Sequence, residues 1–131
     1  MSRLLRPMAK TYDATALDNA QGTIVAVIPV HKLANRWHQA VALLFPADME
    51  FYTVSTWNKH HWQFTVNSST GELTVHSGKP TIERGGGFAS SPRLMHYVCG
   101  ESVVFILYAG TVRYNHPAPI ATRCHLRIEP I

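Results

Sequence analysis

Residues 120–130 read IATRCHLRIEP. Ile120, Thr122, Cys124, Leu126 and Ile128 fall on one side of an extended chain. Ala121, Arg123, His125, Arg127 and Glu129 fall on the other. This is the period-two pattern of a strand with one face in a core and one in solvent. A slip of one residue would turn the whole apolar set outward, so the register of this strand is strongly specified.

The next clearest signal lies upstream, in residues 60–76. His60, Trp62, Phe64 and Val66 share one face and His61, Gln63 and Thr65 the other. A polar turn at Ser68-Ser69-Thr70-Gly71 follows, with Gly placed where positive φ is wanted, and then Glu72–His76 alternates with Leu73 and Val75 inward. The two runs predict a β-hairpin. Thr23–Val30, TIVAVIPV, is β-branched and apolar, a buried strand that Pro29 ends. Further strands are predicted at 51–57, 81–83, 93–98, 103–108 and 111–115, with turns at Cys99-Gly100-Glu101-Ser102 and a flexible loop at Gly85-Gly86-Gly87.

Residues 31–45 admit two readings. Leu33, Trp37, Val41 and Leu44 stand at near-helical spacing ahead of Pro46, which would stop a helix. The alternative is a loop and then a strand over 38–45. The reading adopted is one short helix or helical turn over 32–39 with extended chain after it, since AVALLF shows the lost alternation of a strand buried on both faces. Residues 1–21 read as an N-terminal arm, basic at first and then small and polar, ahead of a single domain over 22–131. Seven or eight short strands with turn signals about every ten residues predict a mostly β antiparallel sandwich.

The chain has 131 residues, 46% hydrophobic and 15% charged, with a formal charge of +4. That is long enough to bury a core without disulfides or metals, and too apolar for a disordered chain. Its basic residues are scattered rather than gathered into a patch, apart from Arg3, Arg6 and Lys10, which permits contact with nucleic acid or another anionic partner without requiring it. No segment reaches the roughly 20 apolar residues of a membrane helix. Arg6, Pro7, Lys10 and Asp13 interrupt the first residues, so no signal peptide is expected. Cys99 and Cys124 match no zinc or redox spacing and are expected as two buried free thiols, with one bridge between neighbouring strands as the alternative.

Pro92–Gly110 followed by ATRCHLRIEP resembles the strand, Gly-acidic turn, strand and closing strand of small jelly-roll domains. These include the globular heads of complement and tumour-necrosis-factor type and the shells of small viral coat proteins. The resemblance covers the C-terminal third. It implies a jelly-roll-like sandwich that assembles into trimers or larger closed oligomers, and it transfers no functional residue. The closing strand lacks the Phe-x-Gly of the complement-type heads, and the arm is less basic than coat-protein arms.

Eight histidines are the most suggestive chemical feature. No His-x-His occurs, and the adjacent His60 and His61 point to opposite faces of a strand, so neither a metal nor another cofactor is expected. The best enzymatic alternative is a metal-independent ribonuclease, which needs two imidazoles for proton transfer and a cation for the phosphate. His61, His76 and Lys59 are its candidates. Eight scattered acidic residues argue against paired-carboxylate hydrolysis. The triple glycine lacks the Lys-Ser/Thr of a phosphate loop, although Arg84 and Arg93 flank it. Trp37, Trp57 and Trp62 are expected in the core, with base or sugar stacking by residues 57–62 as the sharper reading. The leading expectation is a non-enzymatic, self-associating structural or recognition module, a viral or phage structural component being one such case. Its contact residues would be Arg3, Arg6, Lys10, Arg84, Arg93, Arg123, His125 and Arg127.

Overall fold

The computed structural model describes residues 9–16, 22–47, 59–78, 93–108 and 121–131. Predictions for strands at 51–57, 81–83 and 111–115, the triple glycine, Trp57, Arg3, Arg6 and Arg84 lie outside the described residues. Along the chain come β1 (Lys10–Ala16), β2 (Thr23–Pro29), the single turn α1 (Val30–Leu33), β3 (His38–Pro46) and β4 (Lys59–Val66). They are followed by β5 (Leu73–Ser77), β6 (Arg93–Cys99), β7 (Ser102–Tyr108) and β8 (Thr122–Pro130).

The protein is mostly β and forms an antiparallel sandwich of two sheets. The larger sheet has the order β1-β8-β3-β4-β5 and the smaller β2-β7-β6. In the larger one β3, β4 and β5 run side by side and β8 returns to lie beside β3, an order of Greek-key character. Strand β8 takes the register its alternation demands. Thr122, Cys124, Leu126 and Ile128 are buried while Arg123, His125, Arg127 and Glu129 face outward. Ala40, Ala42 and Leu44 of β3, Trp62, Phe64 and Val66 of β4 and Leu73 of β5 extend this inner face. Val103, Phe105 and Leu107 of β7, Leu94 of β6 and Ala26 and Ile28 of β2 close over it from the smaller sheet. This packing buries one face of each sheet in a shared core.

The hairpin over β4 and β5 forms as read. Gly71 takes φ +76° in its turn, and a Cβ there would press on Val30 and Val98 at 3.1 Å. Asn67 braces the same turn, its Oδ1 accepting from the Ser69 and Thr70 amides at 2.8 and 3.0 Å. Pairing shifts between Gln63↔Ser77 and Phe64↔Val75, which leaves His76 as the extra residue of a bulge.

Two boundaries differ from the sequence reading. The helical turn is at 30–33, not over 32–39, and His38 and Gln39 already belong to β3. The pairing of His38 with both Phe64 and Pro130 wins there, because it satisfies the backbone on two sides where a short isolated helix would leave most of its amides unpaired. Within the stretch read as an arm, Lys10–Ala16 pairs along its whole length with β8 as an edge strand. Tyr12, Ala14 and Ala16 pack inward. Two alanines bury too little apolar surface to announce a strand, and the pairing exists only because β8 offers a partner. AVALLF loses its alternation because Val41 and Leu43, on the outer side of β3, are themselves half-buried and Phe45 is fully so.

Candidate functional site

With the inner faces committed to the core, the outer faces and the open ends of the sandwich are left for function. On the larger sheet, cross-strand registers set the outward residues in rows: Thr15, Arg123 and Phe45; Asp13, His125, Leu43 and Lys59; Thr11, Arg127, Val41 and His61; Glu129, Gln39, Gln63 and Ser77. The β8 stripe therefore lies beside the apolar pair Val41 and Leu43. Its charges are answered within the sheet. His125 Nδ1 lies 2.7 Å from Asp13 Oδ1, and the Arg127 guanidinium donates to Glu129 at 3.3 Å. The Arg123 guanidinium stands 5.8 Å from the centre of the Phe45 ring.

His76 does not meet His61. The His76 ring Nε2 lies 2.7 Å from Thr65 Oγ1, four residues along β4 from His61, or roughly 13 Å at strand rise. Lys59 is a further two residues away, opposite Leu43. His76 instead sits against Trp37, ring centres 4.0 Å apart at 35°. Trp37, expected in the core, is 46% exposed. It precedes β3 on the outward side, and its carbonyl accepts from the Ile131 amide at 2.9 Å, which fixes the backbone and leaves the indole outside. Trp62 does enter the core, and its Nε1 is buried without a hydrogen-bond partner among the described residues.

The smaller sheet presents the opposite chemistry. Its outward rows are Ile24, Ile106 and Met95; Val27, Val104 and Tyr97; and Tyr108 with Arg93. Ile24, Val27 and Tyr97 are 60, 54 and 40% exposed. Antiparallel sheets with one face in solvent normally alternate apolar and polar residues; this one is apolar on both sides. Arg93 stands 5.7 Å from the Tyr108 ring centre. A hydrogen bond with Tyr97 is the first cause holding the Tyr108 phenol above its ordinary value; desolvation and Tyr97's charge add to it, and Arg93 opposes. The sequence carried this signal in VVFIL and in TIVAVI, which lack alternation. An unbroken apolar run alone reads equally well as a strand covered on both sides.

Both cysteines are free, Cys124 buried and Cys99 exposed at the end of β6, against the expectation that both are buried. Cys99 lies at the β6–β7 turn opposite Ser102, where the strand has run past the core. Burial, with Asp13 nearby, pushes the Cys124 thiol up to about 12. Among the described residues no three His, Cys, Asp or Glu side chains gather at one point as a metal site, and no helix is long and apolar enough to cross a membrane. Lys10 lies on β1, at the rim of a cavity at one end of the sandwich.

No family model matches the chain, and no curated protein matches it. Among solved structures it is similar to the tailspike protein of Acinetobacter baumannii phage AM24, at 13% identity and a TM-score of 0.39. The match covers 94% of this chain and 26% of that one, so the chain spans about a quarter of the tailspike's length.

Proposed function

We propose that this protein is a non-catalytic, self-associating module that packs copies of itself through the outer face of the β2-β7-β6 sheet. The apolar outward rows of that sheet carry the reading. Ile24, Val27 and Tyr97 stand exposed around the half-buried Met95 and Ile106 and the buried Val104, with Arg93 at the end of the patch. Burying such a patch stabilises an assembly by about 25 cal/mol per Å² of apolar area. A second copy suits it better than an unlike partner, because the rows hold only one formal charge and that one lies over a ring of its own sheet. Two apolar sheet faces of the same kind can stack on each other about a two-fold axis. A trimer or larger closed assembly, as the jelly-roll resemblance implies, would use the same face, and a viral or phage structural component is a setting such assembly fits.

Light scattering over a concentration series tests this. The expected result is a stable oligomer that the double variant Ile24→Glu/Tyr97→Glu converts to monomer with an unchanged circular dichroism spectrum. A parent chain that stays monomeric at high micromolar concentration overturns the reading.

A further inference from the structure

We infer that the cavity at the α1 end of the sandwich is a binding site for a small organic anion with an apolar body, such as an alkyl carboxylate. The cavity encloses about 380 Å³, within the range of small-molecule pockets. Its floor is Ile28, Leu33 and Ile128, all buried. Tyr12 and His38 stand in its walls, and Lys10, Lys32 and Arg36 complete the lining together with Val27 and two prolines. No carboxylate is among the lining residues.

The position of Lys10 is informative. Tyr12, Ala14 and Ala16 face the core, so the alternation of β1 puts Lys10 on the same inner side, where the sandwich opens. Lys32 and Arg36 reach the same opening from α1 and the segment after it. Three cations thus converge on an apolar floor. The salt bridges of the described residues join His125 to Asp13 and Arg127 to Glu129, and involve none of the three. A convergence of like charge raises the local concentration of anions and is relieved by binding one.

Of the neutral polar groups in the wall, Tyr12 suits the same ligand. His38 donates its Nδ1 proton to the Arg36 carbonyl oxygen at 3.2 Å, because a carbonyl only accepts. Burial favours the neutral ring, whose Nε2 then only accepts and offers a carboxylate no hydrogen bond. Desolvation keeps the Tyr12 phenol protonated, a hydrogen-bond donor. The wall offers few other polar groups, so a sugar or a bare inorganic anion would leave either its own hydroxyls or the floor unmatched. An alkyl carboxylate uses both, with its charge at the rim and its chain on Ile28, Leu33 and Ile128.

Titration calorimetry with decanoate below its micelle concentration, decanol and inorganic phosphate tests the site. Decanoate is expected to bind saturably, one per chain, and at least tenfold more tightly than decanol or phosphate. Lys32→Gln/Arg36→Gln should weaken decanoate at least tenfold and leave decanol unchanged. These side chains are exposed, so the fold should persist. The face variant Ile24→Glu/Tyr97→Glu keeps Val27, which the cavity and the face share, and should bind decanoate as the parent does while losing self-association, which distinguishes the two readings. Absence of saturable decanoate binding, equal binding of decanol or phosphate, or parent-like affinity in the double variant overturns the inference.

Discussion

Leu126 sits midway along β8, paired with Tyr12 on one side and Ala42 on the other, and is wholly buried. Leu126→Ala is expected to lower the unfolding free energy by about 2–5 kcal/mol in urea titration, because neighbours held by two ladders cannot close the cavity. Trp62→Phe removes a buried N–H that has no partner among the described residues. Its cost should stay under about 1 kcal/mol, since the lost volume is offset by relief of an unsatisfied donor. Gly78→Ala should cost more than the roughly 1–2 kcal/mol of left-handed strain alone, as φ is +78° and a Cβ would strike the His61 carbonyl and the Trp62 backbone. His38 and His96 are both held below their ordinary value near 6.5, chiefly by burial. The unfolded chain then binds more protons than the folded one as pH falls through about 6.5. Stability from this source is complete above that value and is lost on acidification toward the lowered folded values. The urea midpoint should drop from about pH 7 to about pH 5, less steeply in His96→Leu.

In the larger sheet β8, β3 and β4 are paired on both edges, whereas β1 and β5 end it. Hydrogen exchange should therefore find the amides of β8, β3 and β4 slower than those of β1 and β5; equal protection of β1 and β5 would contradict it. The Asp13–His125 contact adds little to hold β1, being solvent-exposed at 45 and 26%, so Asp13→Ala is expected to cost under about 1 kcal/mol. The elements differ in how far the sequence disclosed them. Strand β8 and the β4–β5 hairpin were legible because polar and apolar residues alternate strictly there. Strand β1 was not, because small residues carry little hydrophobic signal. Over 31–39 local spacing favoured a helix, and pairing with β4 and β8 overrode it.

For the whole molecule, self-association and thiol chemistry report on the same architecture. Cys99 should react with a disulfide reagent in the native protein and Cys124 only after unfolding, giving one accessible thiol and then two. If the β2-β7-β6 face assembles as proposed, Cys99, at the end of that face, should react more slowly at concentrations where the oligomer forms. The sequence by itself determined the β class, the inner face of β8, the turn at Gly71 and the absence of a marked catalytic motif. All of these rest on alternation or on one residue's backbone preference, both of which are local. Only the tertiary structure decided which apolar strands are covered on both sides and which leave Ile24, Val27 and Tyr97 exposed. It alone joined Lys10, Lys32 and Arg36 around one cavity and parted His61 from His76. Those outcomes depend on which strand lies beside which, and that is set by contacts far apart along the chain.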